Sequence, residues 1–142
     1  GLLLLTNDRQ LTNVLTHPSH QISKTYEVTV KGNIDEKSIA KLQKGVYISD
    51  AHTKHDGRRG KRAHVKEIEL VKHNRDRSVL KIVLTEGRNR QIRRMLAFVG
   101  HPVKRLRRTH IGKIQLKGLR PGQWRDLLPT EIMTLKKSAN LR

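Results

Sequence analysis

The chain contains no cysteine. That excludes disulfides, a thiol nucleophile and any cysteine-ligated zinc site, and it points to an intracellular, cytoplasmic setting. Aromatic residues are almost as scarce: Tyr26, Tyr47, Phe98 and Trp124 are the full set. Nucleic-acid modules that lay bases on a platform of exposed rings need more than this. No apolar run approaches the ~20 residues of a membrane-spanning helix. The leucines at the start form too short a run, with no basic lead-in, for a signal peptide. No glycine-rich loop has the spacing of a phosphate-binding loop, and no serine nucleophile system is recognisable. His52, His55 and Asp56 lie close in sequence but lack a further ligand at suitable spacing, so no metal site is expected. The scarce charge is negative: 12 Asp and Glu stand against 31 Lys and Arg, a net +19. Such an excess points to a polyanionic partner, nucleic acid above all. The cations are spread over strands, loops and helices alike, which fits a membrane surface less well.

With 142 residues the chain is read as a single domain, with no internal repeat and no dividing linker. It opens on Gly1-Leu2-Leu3-Leu4-Leu5 without a methionine, which reads as a fragment entered midway through a buried strand, Leu2 to Thr6. Asn7 and Asp8 cap a short helix carrying Leu11, Val14 and Leu15, closed by His17-Pro18. Lys24 to Lys31 alternates, with Tyr26, Val28 and Val30 on one face, as in a half-buried strand. Asp35 caps a second helix, with Ile39, Ala40 and Leu42 inward and Gly45 at its end, followed by a short strand at Val46 to Ile48. Residues 50–62 are strongly basic with almost nothing apolar and read as an exposed loop. Ala63 to Val71 alternates with one slip of phase, and the polar turn Asn74-Arg75-Asp76-Arg77 joins it to Ser78 to Thr85 as an antiparallel hairpin. Val103 to Lys117 is extended, Trp124 is expected to anchor a core, and Pro129 starts a last helix through Leu135, with a frayed tail from Lys136. The fold class is α+β: a mixed, mainly antiparallel sheet with packed helices and a basic cleft.

The stretch from Gly87 to Met95 organises this reading. Asn89 is the expected N-cap of a helix to Val99. Ile92, Met95, Leu96 and Val99 recur at i, i+3, i+4 and i+7, and Gly100 and Pro102 end the run. On that wheel Arg90 and Arg94 face outward, while Arg93 sits at the border of the apolar stripe, where a side chain can lean into a cleft. A solvated basic face and an anion clamp both fit that pattern. Tyr26 is equally open on pattern alone, either a core tyrosine with its hydroxyl at the edge or a functional ring.

The motifs Gly1-Leu2-Leu3-Leu4-Leu5-Thr6-Asn7-Asp8, Leu15-Thr16-His17-Pro18, Lys24-Thr25-Tyr26-Glu27-Val28 and Glu86 to Met95 occur in the order of the RsuA/RluB-type pseudouridine synthases. So do Val99-Gly100-His101-Pro102-Val103, Arg108-Thr109 with Ile111-Gly112, and Gly118-Leu119 through Pro121-Gly122-Gln123-Trp124-Arg125. The chain therefore resembles that family over nearly its whole length, residues 50–62 matching least. The resemblance implies an enzyme that isomerises uridine to pseudouridine in RNA, most often ribosomal RNA, with no cofactor and no metal. It implies a target nucleotide flipped into the pocket, Tyr26 packed on the base and placed to remove a carbon-bound proton, and Arg93 paired with the nucleophilic aspartate. In the family that aspartate lies in an Arg-Leu-Asp motif a few residues before the leucine run, a motif this sequence does not contain. Asp8 stands in a different motif and reads as a helix cap. The chain is thus expected to be the C-terminal portion of a catalytic domain, inactive alone. Lys24, Arg58, Arg59, Lys61, Arg62, Arg88, Arg90, Arg94, Arg107 and Arg108 are the expected RNA contacts, on ribosomal RNA or a ribosomal assembly intermediate. The alternative is a non-catalytic RNA-binding or ribosome-associated protein. A DNA-binding protein reading the major groove with the basic helix is a third reading, and the packing expected for that helix argues against it.

Overall fold

The computed structural model describes residues 1–48, 62–88 and 90–140. Of the expected basic loop, only Arg62 lies within them; Arg58, Arg59 and Lys61 fall outside, as does the expected cap Asn89.

Alternation sets the central strand. β1 (Lys24–Lys31) carries Val28 and Val30 with no exposed surface. It pairs antiparallel on one edge with β5 (Arg77–Leu84) and on the other with β6 (Val103–Ile111). β4 (Glu67–His73) flanks β5, and β7 (Ile114–Gln115) folds back on β6, giving the order β4-β5-β1-β6-β7. All pairs among the described residues are antiparallel. Two short strands, β2 (Val46–Tyr47) and β3 (Arg62–Ala63), form a separate pair. The β4–β5 turn is built by Asn74, whose side-chain oxygen accepts from the N–H groups of Asp76 and Arg77 at 2.9 and 3.0 Å.

One face of the sheet, here the inner face, holds the larger core. Val28, Val30, Leu80, Ile82 and Leu84 meet Leu42 of α2 (Glu36–Lys44) and Ile92, Met95 and Leu96 of α3 (Gln91–Phe98). A second core gathers at the far end around Leu2, Leu11, Leu15, Ile22, Ile111, Ile114 and Leu135. It joins α1 (Arg9–Thr16) to α4 (Pro129–Ser138). The caps of α1 and α2 are those the sequence indicates: Asp8 Oδ1 accepts from Leu11 N–H at 3.0 Å and Asp35 Oδ1 from Ser38 N–H at 2.8 Å, whereas the cap position of α3 is Arg90. No helix among the described residues is long and apolar enough to cross a membrane.

Several expectations are corrected. Leu2 to Thr6 is not a buried strand: Leu2 is buried and Leu4 packs partly on the second core, but Leu3 is 68% and Leu5 87% exposed, so only alternate residues of the segment turn inward. Ala40 is exposed, since α2 turns only Leu42 and part of Ile39 inward. The phase slip in Ala63 to Val71 is a real break, with Ala63 in β3 and the later residues in β4. The long extended stretch to Lys117 reverses at Gly112, which has φ +55°. Trp124 is no core anchor; at 79% exposure it lines an apolar groove of about 690 Å³ with Leu3, Leu5 and Leu127. α4 continues through Ser138, three residues beyond Leu135.

The start of α4 is held by Glu131, which accepts from Leu128 N–H at 2.8 Å and takes Arg125 in a two-pronged ion pair at 2.8 Å for each bond. The Arg125 guanidinium, then the Leu128 amide, hold the Glu131 carboxyl down at about 2, against 4.5 for a free glutamate. A depressed folded-state pKa stabilises above the unfolded value, and that contribution is lost as pH falls toward 2. Glu131→Gln should therefore flatten the fall in melting temperature between about pH 4.5 and pH 2. Deleting core volume at a fully buried site should act at every pH: Leu96→Ala should cost about 2–5 kcal/mol in a denaturant titration.

Candidate active site on the inner face of the sheet

Strand register decides which side chains meet. Across β5, β1 and β6 the inner face carries Leu80, Val28 and Leu106 in one row and Ile82, Tyr26 and Arg108 in the next. The last row holds Leu84, Lys24 and Ile111. The face is thus apolar along most of its length and turns polar at the start of β1. Tyr26 is half-buried, its ring packed on the main core, with Arg108 as its cross-strand neighbour. Between these rows β6 has a bulge: Thr25 faces His110 while Tyr26 faces Arg108, so Thr109 is the extra residue. Its hydroxyl donates to Thr25 O at 3.3 Å. A bulge here re-aims the side chains beside Tyr26.

Lys24 is held by structure more than by solvent. Its Nζ donates to Leu15 O at 2.9 Å, and burial, then the nearby Arg108 charge, lowers its pKa from the usual lysine value. Arg108 itself pins the start of the chain. Leu2 N–H donates to Arg108 O at 2.7 Å, and Arg108 Nε donates back to Leu2 O at 2.9 Å. The approach is so close that a Cβ on Gly1 would lie 2.7 Å from Arg108 N, which only glycine avoids.

The basic helix packs on the same face. α3 buries Ile92, Met95 and Leu96 in the core that Tyr26 also touches. Arg90, at its cap position, is exposed and adopts the left-handed conformation, φ +51° and ψ +32°. Arg93 is half-buried, as its border position predicts, and among the described residues its side chain makes no hydrogen bond or ion pair. Arg94 is half-buried too and does not face fully outward. Arg88 sends its Nη2 to Ile48 O at 3.4 Å.

Two expected contacts stand apart from this cluster. Arg107 points to the opposite, outer face, where it pairs with Glu27 at 3.3 Å. It ends a row of alternating charge across four strands: Glu69, Lys81, Glu27, Arg107. Arg62, in β3, lies over the Tyr47 ring at 5.9 Å and donates from Nε to Gly45 O at 3.3 Å.

Sequence reasoning missed Gln91 and Glu86. Gln91 is only 3% exposed. Its Nε2 donates to Glu86 Oε1 at 2.7 Å and His64 O at 3.1 Å, and its Oε1 accepts from Arg88 N–H at 3.2 Å. Glu86 Oε1 also accepts from His64 N–H at 2.9 Å. The available signal was a polar residue four before Met95, on the apolar side of the helix. Among the described residues no three His, Asp or Glu side chains are grouped to hold a metal. Asp8 is occupied in capping α1 and Glu86 in this network, so neither carboxylate is presented as a nucleophile. What the inner face offers is a tyrosine, a guanidinium beside it, and a helix whose arginines frame the same side.

Residues 1–98 match the family model described as RNA pseudouridylate synthase. The chain is 37% identical to ribosomal large subunit pseudouridine synthase B of Bacillus subtilis (strain 168), over 99% of this chain and 54% of that protein. It is 40% identical to ribosomal large subunit pseudouridine synthase E of Xanthomonas campestris pv. campestris, over 88% of this chain and 70% of that one. A crystal structure of a pseudouridylate synthase superposes with a TM-score of 0.74 at 29% identity, covering 92% of this chain and 52% of the other. The chain thus spans about half the length of the Bacillus protein and of the solved one. The match on residues 1–98, most of the sheet and all of α3, makes this chain a member of the RNA pseudouridylate synthase family.

Proposed function

We propose that the chain is the C-terminal portion of a catalytic domain that isomerises a specific uridine to pseudouridine in RNA, with ribosomal RNA as substrate class, in the cytoplasm. The supporting observation is the convergence on one sheet face of Tyr26, its neighbour Arg108 and the arginine helix α3. The Leu2–Arg108 pair adds to it. It fixes the start of the described chain against β6, the strand next to the one that carries Tyr26. A nucleophilic aspartate a few residues before Gly1, where the family motif has it, would approach this face from the Arg108 side.

In this reading the target nucleotide leaves its stack at a cost of a few kcal/mol and seats its base against the Tyr26 ring. The aspartate bonds to the sugar carbon as its bond to N1 breaks, the uracil turns, and C5 then bonds to that carbon as the aspartate leaves it. The C5 proton leaves, with the Tyr26 oxygen placed to take it, and N1 gains a proton, so atoms balance without a cofactor. Arg93 holds the carboxylate ionised and oriented. Arg88, Arg90 and Arg94, around the start of α3, supply phosphate contacts in this reading, and their role is affinity without base reading.

Two sets of measurements test this. In a polypeptide extended upstream to include the family aspartate, Tyr26→Phe and Arg93→Ala should each lower turnover by about 100-fold or more, with RNA affinity changing far less. Equal losses in turnover and binding for Arg93→Ala would make it a binding residue instead. No pseudouridine from the extended wild type, with tight RNA binding, would favour a non-catalytic RNA-binding protein. For binding itself, Arg90→Ala should reduce the salt slope of RNA affinity by about 1. Arg107→Ala should leave that slope unchanged, because its guanidinium faces the outer side against Glu27.

A further inference from the structure

The turn that leads into α3 is unusual for what it contains. Arg90 is one of only three non-glycine residues with positive φ among those described, and it directly precedes the helix. A long side chain in the left-handed region is strained and persists only where its surroundings over-determine it. The surroundings here are specific. Gln91 N–H donates to Arg88 O at 3.1 Å, and the Gln91 side chain returns to Arg88 N–H at 3.2 Å, so Arg88 is held at both its amide and its carbonyl. The other end of the Gln91 amide reaches Glu86 and His64 O. Glu86 closes the circuit on His64 N–H. One buried glutamine thus ties together the turn after β5, the first turn of α3 and the backbone just after β3. Arg88 extends the tie through its guanidinium to Ile48, just after β2.

We infer that Gln91 is a positioning residue: it locks the left-handed Arg90 turn and so sets where Arg90 and Arg93 are presented. A side chain of the same shape without the amide would leave Arg88 N–H, His64 O and one Glu86 oxygen short of a partner in a nearly dry site. A carboxylate there would face the Glu86 carboxylate at 2.7 Å. In both cases the turn has no reason to hold Arg90 at positive φ, and the first turn of α3 opens. For Arg93 this rests on the synthase reading above. For the turn itself it rests on the hydrogen bonds alone.

The test is amide hydrogen exchange on the 142-residue chain, followed at His64 and Arg94. His64 N–H bonds Glu86 Oε1, and Arg94 N–H bonds Arg90 O at 3.0 Å. Gln91→Glu should accelerate exchange at both by about 10- to 100-fold, while the amides of Val28 and Val30 in β1 stay within a few-fold of wild type. Gln91→Glu with Glu86→Gln, which restores one donor against one acceptor, should recover most of that protection. Ser78→Ala serves as control. It removes a different buried bridge, from Ile34 N–H at 2.9 Å to Gly32 O at 2.8 Å, and should lower overall stability without singling out His64 and Arg94. Wild-type exchange at His64 and Arg94 in Gln91→Glu would overturn the inference. So would a loss shared equally by every sheet amide, or a double variant no better than the single. In the upstream-extended polypeptide, Gln91→Glu should lower kcat by about 10-fold or more and leave KM within a few-fold, the double variant recovering. An inactive extended wild type would count against the synthase reading and leave the exchange result to decide the role of Gln91.

Discussion

β1 is hydrogen-bonded along both edges, to β5 on one side and β6 on the other, and its register with them determines what else can be built. Because side chains alternate, a slip of one residue would exchange Tyr26, Val28 and Val30 for Thr25, Glu27 and Thr29 on the inner face. That exchange would bury a carboxylate beneath α3 and send the tyrosine outward. Val28 and Val30, wholly enclosed, make the slip prohibitive. The apolar part of the strand therefore secures the position of its polar end, and a core interaction fixes a site residue two positions away.

The polar end is assembled from pieces distant in sequence, each held by a backbone contact. Arg108 comes from β6, directed by the bulge at Thr109. The Gly1–Leu2 segment is drawn onto Arg108 by a reciprocal pair of hydrogen bonds. α3 arrives with its apolar stripe in the main core and its entry turn tied to the backbone near β2 and β3. None of these ties is strong alone, since a typical intramolecular hydrogen bond nets about 1 kcal/mol. Their value lies in restricting each cationic side chain to one approach.

Much of this was legible in the sequence where local physics governs. Asp8 and Asp35 were readable as caps because a short acceptor followed by a helical stripe leaves few other uses for the carboxylate. β1 and the Asn74 hairpin were readable from alternation and turn chemistry. The border position of Arg93 followed from the helical wheel, and the structure leaves it half-buried. What failed depends on partners distant in the chain. A leucine run looks buried by composition, yet Leu3 and Leu5 are covered only if something packs there. Trp124 failed for the same reason. Arg107 and Arg108 are neighbours in sequence, but strand alternation sends them to opposite faces, and charge alone could not separate them. Gln91 escaped notice because a glutamine has no hydropathic signature, and its burial is justified by polar groups of the adjoining turn, Arg88 N–H and Glu86, together with His64 O from a distant segment.

The alternating row on the outer face has a bearing on encounter. The acidic residues of the sheet's strands, Glu27, Glu67 and Glu69, share that face, and no strand places a carboxylate on the inner one. The molecule is strongly positive in total, but the two sides of its sheet do not meet an approaching polyanion alike. The outer side, partly neutralised by strand carboxylates, offers a weak and patchy field; on the inner side the described strands contribute cations and no carboxylate. At separations within a Debye length that difference acts as a torque, turning the protein before contact is made. An orienting effect of this kind acts during diffusion, before contact, and weakens as salt is added.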